Sequence, residues 1–239
     1  MKSKLADIIL TVFFPRRCAV CGKVIFPDEV VCDNCDIEKH RIPYPKCDKC
    51  GQAEGFCNCG ADKLSFDHII TPFYYEGDIR TCIKNFKFKG YYDNGKFLAG
   101  EMVRALEEEY VFEKPDLIVP VPMTKRRKRR RGFSQTDTLA RRISEATGIE
   151  FRGDLLRKTR ETPPQVGLGA KERRNNLVNA FAVSENENLK GKTIIVCDDT
   201  KTTGTTLHEC AKALKRAGAK KVIGLTAALT KNDFRGEAY

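Results

Sequence analysis

The sequence predicts an α/β fold, a parallel sheet flanked by helices, preceded by a small module that metal ions hold together. Two observations carry this reading. Past residue 60, short runs of β-branched and apolar residues alternate with segments of helical periodicity. Eight of the eleven cysteines lie between Cys18 and Cys59. Strands separated by helices pair in parallel, because the crossover returns the chain to the same end of the sheet. The change of composition after Gly60 sets an expected boundary, with one unit over 1–62 and another over 63–239.

The opening "KSKLADIILTVFFP" has a basic start and a short apolar run. No small-residue cleavage site follows, and Pro15-Arg16-Arg17-Cys18 comes instead; the expectation is an amphipathic or buried helix ending at Pro15, not an export signal. No apolar stretch approaches the length of a membrane span. With no export signal, a reducing cytoplasm is the expected compartment, and the cysteines are expected to hold metal rather than form disulfides.

Cys18-x-x-Cys21 is followed by Cys32-x-x-Cys35, and Cys47-x-x-Cys50 by Cys57-x-Cys59. A Cys-x-x-Cys pair forms a tight knuckle with both thiolates on one side, and two knuckles complete a tetrahedral shell that suits Zn²⁺. Four thiolates are also compatible with an iron–sulfur cluster. The one-residue gap of the last pair is tighter than a usual knuckle, so the expectation is one or two structural metals. A module this small needs metal as its core.

Downstream, "HIITPFYYEG" reads as a strand, and "DIRTCIKNFKF" and "NGKFLAGEMVRALEEEY" as helices, the second placing Phe97, Met102, Val103 and Leu106 near one face. "DLIVPVP" is a short buried strand. "SQTDTLARRISEATG" is a helix opened by a polar cluster and closed by Gly148. "NAFAV" and "TIIVC" are strands, "TTLHECAKALKRAG" is a helix ended by Gly218, and "KVIGLTAAL" is the last strand.

The stretch "IIVCDDTKTTGTT", Ile194 to Thr206, is where chemistry concentrates. An apolar run ends in Asp198 and Asp199, at the carboxyl end of a strand, where ligands bind in open α/β sheets. Paired carboxylates there accept from vicinal hydroxyls. The turn Thr202, Thr203, Gly204, Thr205 and Thr206 leads into a helix starting near Leu207, and its amides and hydroxyls suit a phosphate. Gly204 permits the positive φ such a cup needs. Diol acceptors beside a phosphate cup describe a ribose 5-phosphate. The Gly-x₄-Gly-Lys-[Ser/Thr] and Gly-x-Gly-x-x-Gly patterns are missing, which excludes a P-loop and a dinucleotide fold. The net charge of +11 favours polyanionic partners, either nucleic acid or a phosphate-rich substrate.

These thirteen residues resemble the signature of the type I phosphoribosyltransferases, which bind 5-phosphoribosyl 1-pyrophosphate (PRPP). "VPVPMTKRRKRRRGFSQ" resembles the segment of the ComF/GntX family in which a Pro-Val-Pro strand end leads to spaced arginines and Arg-Gly-Phe-Asn-Gln; Ser134 stands here where Asn is usual. "LLRKTRETPPQVGLGAKERRNNLVNAF" is similar to the same family's Arg-x-Arg-x-Thr-x-x-Gln and Arg-x-x-Asn signatures, and its members begin with a double zinc ribbon. The resemblance spans nearly the whole chain, with its motifs in the same order.

That resemblance implies a type I phosphoribosyltransferase fold. It implies ribose contacts from Asp198 and Asp199, a 5-phosphate on Thr202–Thr206, and Mg²⁺ bridging the sugar and the pyrophosphate. The run Lys125–Arg131, by itself most often a solvated loop, follows the strand where the family builds its pyrophosphate loop, so Arg127 and Arg131 are expected to meet pyrophosphate. Arg157, Lys158 and Arg160 lie in a segment that resembles the hood over the site and would join them. No residue stands out as a general base: His208 reads as structural or surface, and His40 and His68 offer no constellation. The surplus of cations suggests single-stranded DNA. The resemblance further implies DNA uptake in natural transformation, with protein partners there, as an alternative to transfer onto a nitrogen acceptor. The sequence names neither the acceptor nor an oligomeric state.

Overall fold

The structure is a computed structural model that describes residues 15–57, 59, 64–89, 92–109, 114–160, 177–185 and 187–231. The helix expected before Pro15, and residues 161–176 of the expected hood, lie outside the described residues.

Along the chain come β1 (His68–Ile70), β2 (Phe73–Tyr74), α1 (Gly77–Lys89), α2 (Tyr92–Glu109), β3 (Leu117–Pro120), α3 (Lys125–Arg131) and α4 (Gln135–Thr147). β4 (Glu150–Phe151), β5 (Leu156–Lys158), β6 (Phe181–Val183), β7 (Thr193–Lys201), α5 (Thr205–Arg216) and β8 (Lys221–Leu229) follow. Six strands form one parallel sheet in the order β1-β8-β7-β3-β4, with β2 continuing alongside β8. The apolar–proline–aromatic segment read as one strand is thus two, because Pro72 between them has no amide to give a ladder. β5 and β6 stand apart as an antiparallel pair.

β7 lies at the centre and is buried on both faces. Ile195 and Cys197 pack with α1, α2 and α4, while Ile194 and Val196 pack with α5 and the β5–β6 pair. Helix starts and stops follow local chemistry. Ser134 Oγ accepts from the Asp137 amide at 3.3 Å to open α4, and Gly148 closes it with φ 65°.

The basic run is a helix rather than a loop. Thr124 Oγ1 caps α3 by accepting from the Arg127 amide at 3.4 Å, and Gly132 ends it at φ 80°. Lysine and arginine are good helix formers, so a cap at each end suffices to wind seven of them. Among the described residues no helix is long and apolar enough to cross a membrane.

Candidate functional site

β7 does not stop at Cys197. It pairs with β8 as far as Lys201, so the backbone of Asp198 and Asp199 is fixed by the sheet. Successive strand side chains alternate between faces. Asp199 therefore continues the row of Ile195 and Cys197, and Asp198 the row of Ile194 and Val196. The Asp199 amide donates to Asp198 Oδ1 at 2.8 Å. Asp199 Oδ1 accepts from Thr200 Oγ1 at 2.8 Å and pairs with Lys87 Nζ at 2.8 Å. Burial, reinforced by the neighbouring Asp199 charge, pushes the Asp198 carboxyl up to about 8.

Past the strand, Gly204 has φ 77° and stands at the N-cap of α5. A side chain there would be strained by that backbone and would press on the Lys201 stem. The helix begins at Thr205, so Thr205 and Thr206 belong to its first turn. That turn stands at the positive end of the helix dipole, and the Thr205 amide donates to Thr203 Oγ1 at 3.5 Å. Thr203 Oγ1 lies 2.8 Å from Thr205 Oγ1, which fixes the turn.

These groups meet in a cavity of about 400 Å³, within the usual range for small ligands. Asp198, Asp199, Thr202, Gly204, Thr205 and Thr206 line it; Thr203 does not. Arg127, Arg131 and Lys158 line it as well. Arg157 and Arg160 lie next door, in a second cavity of about 470 Å³. There Arg157 pairs with Glu185 at 3.3 Å, and Arg160 donates to the Val178 carbonyl at 3.1 Å. The expected pyrophosphate residues are thus divided three and two. Within the basic run, Arg127 and Arg131 are half-buried, whereas Arg126, Lys128 and Arg129 are exposed.

Sequence reasoning missed Lys87. It sits at the end of α1, more than a hundred residues before Asp199, and lines the cavity. Burial works against its charge, but the Asp199 charge and hydrogen bond outweigh burial, so its pKa is raised. The signal available in "IKNFKFKG" was a lysine at the end of an amphipathic helix, which usually means only a favourable dipole contact.

His40, read as having no constellation, has a structural task. It is buried, its Nε2 accepts from the Asp78 amide at 3.3 Å at the start of α1, and Gly77 (φ 45°) leaves room for the ring. His208 Nδ1 accepts from the Ser65 amide at 3.0 Å, in keeping with the structural reading.

The cysteines gather in two groups, Cys18, Cys21, Cys32 and Cys35, then Cys47, Cys50, Cys57 and Cys59. Three of the sulfur separations are 3.7–4.0 Å in the first and three are 3.5–3.6 Å in the second, and within each group all lie within 4.8 Å. A tetrahedron with Zn–S bonds of about 2.3 Å has edges of about 3.8 Å, so both groups fit zinc, the closely spaced Cys57 and Cys59 included. All eleven cysteines are free. At Cys18, burial is outweighed by amide donors from Cys21, Cys32 and Val20, which bring the thiol down to about 7 and favour the thiolate a metal takes. Closed S₄ shells of this kind are structural. Cys82, Cys197 and Cys210 are buried thiols pushed up by burial, Cys82 to about 12.

Fold and site together define the class: a type I phosphoribosyltransferase fold carrying an amino-terminal double zinc ribbon. Residues 90–237 match the phosphoribosyl transferase domain, and residues 9–66 match the double zinc ribbon domain. Competence protein F of Haemophilus influenzae is 32% identical over 221 residues, covering 88% of this chain and 95% of that one. DNA utilization protein YhgH of Escherichia coli is 29% identical over 212 residues, 86% of each chain. Competence protein ComFC of Bacillus subtilis is 27% identical over 209 residues, 80% of each chain. The chain belongs to the ComF family.

Proposed function

We propose that this protein binds PRPP with Mg²⁺ and transfers its phosphoribosyl group to a nitrogen nucleophile, releasing pyrophosphate. The observation that carries this reading is the meeting, in one cavity, of a carboxylate pair, a helix-start cup and three cations. The 5-phosphate sits on Thr202 and Gly204–Thr206, where amides and dipole favour an anion. The ribose hydroxyls donate to Asp198 and Asp199. Arg127, Arg131 and Lys158 face the pyrophosphate, and their fixed charge favours the leaving group as it departs.

Mg²⁺ takes oxygen ligands and keeps most of its shell outside the protein; the two aspartates fit it, and when bound it neutralises phosphate charge. In the transfer, the C1–O bond to pyrophosphate breaks with its electron pair leaving on oxygen, the C1–N bond forms, and the nitrogen gives its proton to water. The carboxylates favour the positive charge that develops on the sugar. Free thiols in a metal-binding pattern suit a cytoplasmic setting.

A second reading concerns α3. Its exposed Arg126, Lys128 and Arg129 do not line the first cavity and suit the phosphates of single-stranded DNA, in line with a part in DNA uptake alongside other proteins. Two relatives are named for competence and one for DNA utilization.

The test is calorimetric titration with PRPP in Mg²⁺, repeated on Asp198→Asn and Asp199→Asn. The wild type is expected to bind and each variant to lose about tenfold or more. A wild type that takes up no PRPP would overturn the proposal.

A further inference from the structure

The first cysteine quartet and the sugar-phosphate cavity are joined by one helix. Between Cys18 and Cys21 lie Ala19 and Val20, both buried, and Val20 belongs to the core that covers the α1 face of the sheet. The carbonyl of Ala19 accepts from Cys82 Sγ at 3.2 Å. That of Val20 accepts from Asn85 Nδ2 at 3.2 Å and from Asn94 Nδ2 at 3.2 Å. Cys82 and Asn85 are on α1. Its start is held from the same module, since the Asp36 amide donates to Asp78 Oδ2 at 3.1 Å and His40 accepts from the Asp78 amide. Two residues beyond Asn85 comes Lys87, on Asp199 at 2.8 Å.

Knuckle backbone has no regular ladder to hold it. Local bonds shape it, Cys18 N–H to the Lys23 carbonyl at 2.7 Å and Gly22 N–H to the Cys18 carbonyl at 2.9 Å, and a metal shared by Cys18 and Cys21 would pin the loop whose carbonyls face Asn85, Asn94 and Cys82. Asn85 and Lys87 share a rigid turn of helix, so a shift of one moves the other. Lys87 in turn holds Asp199 through an ion pair at 2.8 Å.

We propose that Lys87 is a positioning residue for the carboxylate pair and that metal in the first quartet holds it there through α1, so that zinc retention and PRPP affinity are linked. This rests on the PRPP reading above. Linkage is reciprocal: whatever zinc does for PRPP binding, PRPP does for zinc binding.

The experiment uses the full-length, zinc-loaded chain. PRPP is titrated in Mg²⁺ into the wild type, Lys87→Ala and Lys87→Arg. Each protein is also challenged with a zinc-selective chelator, with and without PRPP, and retained zinc is measured. Lys87→Ala is expected to weaken PRPP by about tenfold, and Lys87→Arg restores most of that affinity. PRPP is expected to slow loss of one zinc several-fold in the wild type and not in Lys87→Ala. Wild-type affinity in Lys87→Ala, or equal protection of its zinc, would overturn the inference.

If the wild type gives no titration, the PRPP reading falls and the link is judged without ligand, by hydrogen exchange. Stripping zinc is expected to speed exchange at 85–89 and 198–201 together; unchanged exchange at 198–201 would overturn it.

Discussion

The amide of Asp199 donates to Asp198 Oδ1 at 2.8 Å, yet the two neighbours live in different electrostatic surroundings. Asp199 has Lys87 at 2.8 Å, while Asp198 is raised from an ordinary 3.8 to about 8 by burial first and by Asp199 second. The folded chain therefore keeps a proton that the unfolded chain sheds near pH 4. Its stability falls as pH rises through that window and levels off above about 8. Relative to the wild type, Asp198→Asn is expected to gain stability as pH rises from about 5 to about 8, read from urea unfolding across pH. Binding of the Mg²⁺ complex is expected to release a proton, visible as a buffer-dependent heat in calorimetry.

The helix of cations carries two separable roles. Arg127→Ala and Arg131→Ala are expected to lower PRPP affinity by about tenfold each, since each removes a charge that faces the cavity. Replacing Arg126, Lys128 and Arg129 by Gln leaves PRPP affinity alone. It flattens the salt dependence of single-stranded DNA binding by about 0.7 in the log–log slope for each phosphate no longer neutralised. Titration of labelled oligonucleotide at several salt concentrations checks this. A slope unchanged in the triple variant would remove the DNA reading.

Zinc analysis is expected to find two ions per chain. The two quartets differ in what they support. The first lies against the main core through Cys18 and Val20, whereas the second adjoins the small cluster of Ile42, Ala53, Tyr74 and Leu229. Cys32→Ser is therefore expected to lower the melting temperature of the whole chain by more than Cys57→Ser, whose side chain is exposed. Metal content by mass spectrometry and thermal melts decide between them.

Gly204 holds φ 77° at the start of α5. Gly204→Ala forces an L-residue into that conformation, at a cost of about 1–2 kcal/mol. It also tilts the first-turn amides, so PRPP affinity is expected to fall along with stability. Stability lost without any loss of affinity would show that the cup is not the phosphate site.

Much of this was written in local pattern. The strand "TIIVC", the helices after Ser134 and Thr205, and the metal-binding spacing of the cysteines are local statements, set by burial of every residue in a central strand, by caps and by knuckle geometry. The turn of threonines was legible for the same reason, since a strand end, a glycine and a helix start are contiguous in the chain. The run of seven cations was harder, because its charge argues for a solvated loop while its flanking Thr124 and Gly132 close a helix. Lys87 was not legible at all. Its meeting with Asp199 depends on the end of α1 reaching the end of β7, where Lys87 Nζ also donates to Thr200 Oγ1 at 3.4 Å, and on Gln135 Nε2 donating to the Lys87 carbonyl at 3.4 Å.

The amino-acid order thus determined which groups could bind a sugar phosphate and a metal, because each set is built from neighbours whose chemistry acts over one turn or one knuckle. Tertiary packing alone decided which of five expected cations reach the cavity and which lysine pairs with Asp199. It also decided that the cysteine module grips the helix carrying that lysine. Such pairings close loops of tens to more than a hundred residues, and only the three-dimensional course of the chain sets them.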